Sequence, residues 1–386
     1  MGAHPGRRIA LAQLETSHGL FNLDRYPPGQ PGNLRAWDAA DLYLLRHLEE
    51  DPLEPGQRLL LVEDAFGALG TVLNAAQPVS WSDSHIARLA LAKNLAANGL
   101  SPRAVPFLPA DAPPGTGFDR VLIKLPKNLA WLEDLLLRLR PALNPGARVI
   151  LGGMIKHSPT RAYRLMEEII GPAPTSQGVK KARLCLGRFD PARDLPGGVP
   201  EVRFRLDDAN LDVDCQANVF SREKLDPGTH LLLQYMPQAG VVARAADLGC
   251  GAGVLALALA RLFPETDILG VDESYQAVAS AQANARTNGL VDRVTFQAGD
   301  GLADVPSGSL NLVLCNPPFH EGHTVGDHVS SRFIVQARAA LATGGELRLV
   351  GNRHLGYHVK LKQVFGNCRE VGTSSKFVVF SALKQD

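Results

Sequence analysis

The 386-residue chain has few cysteines, no long apolar run and almost no excess charge, and each shortage removes a class of function. Its five cysteines, Cys185, Cys215, Cys250, Cys315 and Cys368, show no CxxC spacing. Neither a zinc knuckle nor a disulfide framework is indicated, and a reducing, cytoplasmic setting fits. The apolar run from Val254 to Leu259 stops at Arg261, far short of the roughly 20 residues that span a bilayer. Behind Arg7 and Arg8 the chain is broken by Gln13, Glu15 and His18, so no secretory leader is expected. A formal net charge of +1 excludes a protein that coats polyanions by charge alone, but leaves room for a local basic face.

What is present describes a globular chain with material for two cores. Hydrophobic residues make up 45% and charged residues 20%, and the length exceeds the roughly 100 to 200 residues of an ordinary domain. The chain opens on an irregular stretch, with Pro and Gly crowded over Tyr26 to Gly32, and Trp37 to Glu50 then has helical spacing. Arg58 to Val62, Val79 to Asp83, Phe118 to Leu125 and Ala147 to Leu151 read as strands. Ser84 to Asn98 reads as a helix closed by Gly99. Pro and Gly crowd residues 191–200, which marks a linker between a domain over 1–190 and another over 201–386. Beyond it, Val202 to Val213 alternates like a hairpin or edge strand. The segments starting at Ala245, Ile268, Val294, Leu310 and Glu346 are strands separated by helices. The class is α/β, with two tandem Rossmann-like units and mostly parallel sheets.

The halves repeat one another. Asn98-Gly99-Leu100 recurs as Asn288-Gly289-Leu290, Leu143 to Gly146 falls under Leu341 to Gly344, and Lys124-Leu125-Pro126-Lys127 falls under Asn316-Pro317-Pro318-Phe319. On the same reading Asp64 lies under Asp247 and Asp83 under Asp272.

Chemistry concentrates in the second half. Gly249, Gly251 and Gly253 follow a strand and open a helix, and Asp247 precedes them. Asp272 ends the next strand about 20 residues on, where an acidic residue takes ribose hydroxyls. Asp300 follows the third strand at the place of an adenine edge. Asn316-Pro317-Pro318-Phe319 then closes the fourth. An exocyclic amine on a base ring is a poor nucleophile because its lone pair is delocalised. If the Asn316 side-chain oxygen and the Pro317 carbonyl each accept one amine hydrogen, the nitrogen faces a methyl sulfonium. The prolines contribute no NH donors, and Phe319 can stack on the base. This is the order of an S-adenosylmethionine-dependent amino-methyltransferase, the product being S-adenosylhomocysteine. In the first half Phe66 and Ala68 are read as replacing loop glycines, so that half is expected to recognise rather than catalyse. Lys124, Lys127, Lys180, Lys181 and Arg183 are its candidate phosphate contacts, with Arg353 on a second basic edge. His320, His323 and His328 lack a carboxylate or cysteine to complete a ligand set, so no metal is expected.

The segments Leu34 to Asp41, Asp64 to Leu69, Lys180 to Leu184, Ala217 to Arg222, Asn352 to Leu355 and Phe365 to Cys368, together with these motifs, resemble bacterial ribosomal RNA guanine-N2 methyltransferases of the RsmC/RlmG family. The resemblance implies class I methyltransferase folds in both halves, the N-terminal one degenerate and the C-terminal one catalytic. It further implies that Phe220 and Ser221 approach the donor, that Asn316 also borders it, and that Asn316 to Phe319 grips a guanine 2-amine. The substrate implied is 23S ribosomal RNA, naked or in an assembly intermediate, met by a cytoplasmic monomer. The same turn also serves adenine N6 and protein glutamine methylation. A 16S-directed enzyme and a noncatalytic RNA-binding assembly factor remain as alternatives.

Overall fold

The structure, a computed structural model, describes residues 12–28, 34–195, 197, 199, 202–237, 242–318 and 324–386, with the backbone alone over 324–327. Two compact units, Met1–Gly197 and Gly198–Asp386, divide the chain within the Pro- and Gly-rich stretch. No helix among the described residues is long and apolar enough to cross a membrane.

The second unit is built on a seven-stranded sheet in the spatial order Val294–Ala298, Asp267–Asp272, Arg244–Leu248, Leu310–Cys315, Leu341–Asn352, Phe377–Leu383, Arg369–Thr373. Counted along the chain this is 3-2-1-4-5-7-6. The first five strands are parallel, and Phe377–Leu383 runs antiparallel to both its neighbours. The order reverses between strands one and four, where the carboxyl ends of an open parallel sheet leave a crevice for ligands. The first unit repeats the scheme with six strands: Phe107–Pro109, Val79–Ser82, Leu59–Val62, Phe118–Lys124, Leu143–Met154 and antiparallel Ala182–Arg188.

Alternation along the strands of the second unit builds a core on each face of its sheet. In the second unit Ala245, Leu312 and Leu314 join one apolar cluster, and Ala246, Leu248, Val313 and Cys315 another. Helices cover both faces, so the central strands read as continuous apolar runs rather than as a polar–apolar alternation. Leu59 to Val62 is buried at every position.

Each unit also carries a hairpin outside its sheet. Val202–Leu206 pairs with Leu211–Cys215, and Ala12–Thr16 pairs with Gly19–Leu23. The second of these lies where the sequence suggests irregular chain, because only Leu14 and Leu23 turn inward and the alternation is short. Both hairpins dock through the same clasp. Asn94 Oδ1 accepts from Asp24 N at 2.9 Å while its Nδ2 donates to Asp24 O and Phe66 O. Asn284 repeats this with Asp214 N at 2.8 Å, Asp214 O and Ala252 O. One turn on, Asn98 exchanges two bonds with Asn22, and Asn288 does so with Asp212. The partners are 70 and 76 residues apart in both units. A four-bond arrangement repeated at identical separations marks two copies of one ancestral design.

Asn94 and Asn284 are fully buried, whereas Asn98 and Asn288 are half-buried. Removing the inner amide strands three backbone groups, each worth about 1 kcal/mol or more when left unpaired. Asn94→Ala and Asn284→Ala should each destabilise the protein by about 3 kcal/mol in urea titration, and Asn98→Ala and Asn288→Ala by less than half of that. Equal losses at inner and outer positions would show that burial does not set the strength of the clasp.

Candidate active site

The strand Arg244–Leu248 turns into the helix Val254–Leu262 through Gly249, Gly251 and Gly253, all left-handed, at φ of 77°, 52° and 82°. Their reasons for being glycine differ. A Cβ on Gly253 would meet Phe296 and Ala281 at 2.8 to 2.9 Å, so its bareness serves the packing of the helix onto the sheet. A Cβ on Gly251 would meet nothing within 4 Å. The open space lies over Gly251, and its backbone NH donates to Asp272 Oδ2 at 2.9 Å. Asp272 Oδ1 accepts from Ser274 N at 3.0 Å, and burial raises the carboxyl pKa against these bonds. Asp247, buried, caps the helix through Ala256 N at 3.0 Å, and its Oδ1 is enclosed without a hydrogen-bond partner. Burial pushes its pKa up to about 7, with Asp272 adding to the rise.

At the end of the neighbouring strand Leu310–Cys315, Asn316 Nδ2 donates both its hydrogens, to Asp226 Oδ2 and to Thr229 Oγ1, each at 2.8 Å. Asn316 Oδ1 is buried with no partner. Asp226 is the N-cap of the helix Pro227–Gln234 and also accepts from Thr229 N at 2.9 Å. Gly228 lets this helix end come close, because a Cβ there would lie 2.9 Å from Asp226 Oδ2 and 3.2 Å from Asn316 Oδ1. The loop, Asp272 and a locked amide with a waiting acceptor all sit at the carboxyl edge of adjacent strands.

Other expected residues fall less simply. Phe220 is exposed, and Ser221, left-handed at φ 55°, donates its hydroxyl to Lys224 O at 2.9 Å. Asp300 is buried and ion-paired with Arg332, so its side chain is occupied by an internal cation rather than held open for an adenine edge. Pro317 and Pro318 close the strand as unpaired coil, while Phe319, His320 and His323 lie outside the described residues. Among those described, no group of three His, Cys, Asp or Glu could hold a metal. The sequence reading missed Asp226, Thr229 and Phe333, whose ring lies 3.6 Å from a Cβ built on Gly249. Asp226-Pro227 before an apolar run was a legible helix start, but nothing local tied it to Asn316.

A cavity of about 510 Å³ bordered by Leu206, Leu225, His230, Met236 and Arg261 shares no residue with this site. The chemistry, not this hollow, locates the site.

The first unit has the same framework with the site filled, though by other residues than the sequence pairing suggests. Glu63 N bonds Trp81 O as Gly249 N bonds Val271 O. Gly67 and Gly253 are both left-handed helix caps, and Ser84 and Ser274 both cap the following helix. Glu63, Ala65 and Gly67 therefore stand for the three glycines, and Ser82 for Asp272. This corrects the pairing of Asp64 with Asp247 and of Asp83 with Asp272, and the assignment of Phe66 and Ala68 as the glycine replacements. Asp64 misleads because it does the same work from a different backbone position, capping its helix through Ala68 N and Gly70 N at 3.0 and 2.8 Å. Glu63 reaches across the loop to Asp83 N at 2.9 Å. Lys124 does stand for Asn316, but it is no phosphate contact. Its ammonium is held by Asp38 at 2.8 Å and Asp41 at 2.9 Å, mostly buried. Burial opposes its charge, yet the two carboxylates raise its pKa. That expectation is corrected. Lys127, Lys180, Lys181 and Arg353 are exposed, and Arg183 is half-buried.

Two family models match the chain: RLMG N-terminal domain over residues 11–191 and methyltransferase small domain over 210–381. Among curated relatives, the ribosomal RNA large subunit methyltransferase G of Ectopseudomonas mendocina is 50% identical, covering 92% of this chain and 96% of its own. The protein of the same name from Streptomyces coelicolor is 44% identical, covering 96% and 100%. Among solved structures, the T. Thermophilus 16S rRNA N2 G1207 methyltransferase RsmC, in complex with AdoMet and guanosine, has a TM-score of 0.73 at 24% identity, covering 97% of this chain and 98% of that one. The last supports the fold.

With open space at one glycine and close packing at the other, the expected donor contact and the packing role can be separated. Gly251→Ala should weaken S-adenosylmethionine binding at least tenfold in titration calorimetry and lower stability by only about 1 kcal/mol, the left-handed penalty. Gly253→Ala, with a contact inside 3 Å as well, should mainly lower the melting temperature. The reverse pattern would move the donor away from Gly251.

Proposed function

Because the chain belongs to the ribosomal RNA large subunit methyltransferase G family, we propose that it methylates the exocyclic 2-amine of a guanine in 23S ribosomal RNA with S-adenosylmethionine as donor. The observation that carries this reading is Asn316 Oδ1, a buried acceptor without a partner whose own amide nitrogen is fully engaged. An enclosed unpaired carbonyl costs about 1 to 3 kcal/mol, which an arriving amine hydrogen relieves. Bound, S-adenosylmethionine supplies a sulfonium methyl, whose carbon bonds to the amine nitrogen as the carbon–sulfur bond breaks and the electron pair passes to sulfur.

The chain's own residues hold and aim. Gly251 leaves room for the donor and Asp272 meets its ribose hydroxyls. Asn316 Oδ1 and the Pro317 carbonyl each accept one amine hydrogen, so the lone pair faces the methyl. Phe319 stacks on the base. The methylated nitrogen is cationic and sheds its extra proton to water, so no strong base is required. Acceleration comes mainly from alignment. No metal takes part, and the enzyme works as a cytoplasmic monomer on RNA not yet in a finished subunit.

The first half holds the RNA. Its hairpin tip, closed by reciprocal bonds of 2.8 Å between Val179 and Ala182, places Lys180 and Lys181 consecutively in left-handed backbone, at φ of 46° and 69°. Two-residue turns of this kind favour Asn-Gly, and each lysine there costs roughly 1 kcal/mol. Ile155 N bonds Lys181 O at 2.8 Å, bringing exposed Lys156 and His157 alongside. The strained tip presents a compact group of cations suited to phosphates.

Two experiments test these roles. Asn316→Ala should cut turnover on transcribed 23S ribosomal RNA by about 100-fold or more, the scale for losing a positioned polar group at a reacting centre. Affinity for S-adenosylmethionine should change less than twofold. Equal loss in both would put Asn316 on the donor instead, and a methyl group mapped to adenine or to protein would replace the substrate. Lys180→Asn with Lys181→Gly should raise the melting temperature while weakening RNA binding and lowering its salt slope by one to two. Unchanged RNA affinity would remove the tip from the interface.

A further inference from the structure

Resting on the amine-methylation reading above, we propose that Asp226 and Thr229 are positioning residues for the transfer, acting only through the Asn316 amide. A free asparagine amide can turn over, exchanging its oxygen and nitrogen. Here it cannot turn without facing its oxygen to the carboxylate oxygen of Asp226 at hydrogen-bond distance, where two acceptors repel. Both amide hydrogens are taken, one by Asp226 Oδ2 and one by Thr229 Oγ1, at 2.8 Å each. The pair fixes the orientation in which Oδ1 meets the substrate amine. Asp226 adds an electronic effect. A hydrogen bond to a carboxylate draws positive character onto Nδ2 and electron density onto Oδ1, making the oxygen a better acceptor for an amine whose nitrogen must become nucleophilic.

The cradle is built, not incidental. Asp226 is held at a helix N-cap by Thr229 N at 2.9 Å, Pro227 starts the helix, and Gly228 keeps a Cβ from crowding Asp226 Oδ2 at 2.9 Å and Asn316 Oδ1 at 3.2 Å. The first unit keeps the cradle and changes its occupant. There the N-cap Asp38, together with Asp41 in its first turn, grips Lys124, the residue that stands for Asn316. An ammonium has three donors and no acceptor, so the same carboxylate position holds a group that has nothing to offer an amine. One helix cap thus supports a working acceptor in one unit and a closed ion cluster in the other.

The test uses the full-length protein, transcribed 23S ribosomal RNA and labelled S-adenosylmethionine. Asp226→Asn keeps a capping side chain and removes the charge. Thr229→Val keeps the shape and removes the acceptor. Each should lower kcat by roughly 10- to 100-fold, as loss of a supporting partner behind a functional group does. Donor Kd and the KM for RNA should stay within twofold, and Thr229→Ser should recover most of the rate. In the Asn316→Ala background neither change should lower kcat further, since the group they act through is gone. Full rates in both single variants, or losses that multiply with Asn316→Ala, overturn the proposal. A fall in melting temperature matching the fall in kcat for Asp226→Asn, with Thr229→Val at full rate, also overturns it, because the cap would then be only structural. If Asn316→Ala itself keeps the wild-type rate, the underlying reading fails instead, which separates the two outcomes.

Discussion

The site depends on one constraint: a half-buried side-chain amide at the end of a parallel strand must place four hydrogen-bonding positions. Asn316 satisfies its two donors inside the protein and leaves its acceptor empty. Buried polar groups are nearly always paired, and an enclosed oxygen held in a fixed orientation without a protein partner is what the proposed amine contact would satisfy. The parallel sheet makes this possible. Its strand order brings the glycine loop and Asn316 to the same edge, on adjacent strands paired from Ala245 with Leu312 to Leu248 with Cys315. The helix capped by Asp226 closes the third side.

Seen in these terms, the two units differ less in fold than in how their polar groups are satisfied. The hairpin clasp is the same to the atom. At the loop, Glu63 takes a left-handed position that glycine holds in the other unit, and its carboxylate crosses to Asp83 N. Ser82 replaces the acid that would meet a ribose. Lys124 fills the amide's place and is neutralised by two carboxylates. Asp64 uses both oxygens on its helix, whereas Asp247 keeps one enclosed and unpaired. Together these changes fill the amide's place with a paired ammonium and put a side chain where the loop was bare.

How much of this was legible follows from the range of the signals involved. The central strands and the helices closed by Gly99 and Gly289 were readable because their cues are local: apolar runs, serine caps, a glycine after the last turn. Asn316 and the three glycines were readable because the chemistry needs those residue types in that order. The hairpin Ala12–Thr16 with Gly19–Leu23 was not, since its inward residues are too few to set a period. Its anchors, Asn94 and Asn98, looked like ordinary helical asparagines. The same holds for Asp226: as a helix cap it was plain, but its bond to a residue 90 positions away is a property of the topology. Lys124 failed for the opposite reason. A lysine after a strand reads as solvated, and only the fold reveals that Asp38 and Asp41 surround it. The loop pairing slipped because Asp64 does from three residues further along the loop what Asp247 does from within its strand.

These differences set how each unit couples to ligands. A ligand stabilises a protein by binding its folded state in preference to the unfolded one, and polar groups left unsatisfied in the free protein are one source of that preference. The second unit has such groups at Asp247 Oδ1 and Asn316 Oδ1, and the space over Gly251 is unfilled. The first has closed the corresponding positions and keeps instead a strained, exposed cationic turn at Lys180 and Lys181, whose unrelieved cost lies at the surface. On the proposed reading, small-molecule binding energy therefore has an outlet in the second unit's interior, and polyanion binding energy has one on the first unit's surface. On the same reading, both serve a single event, the arrival of the substrate amine at Asn316. That makes the orientation of this one amide, and hence the cap that holds it, the point at which recognition becomes chemistry.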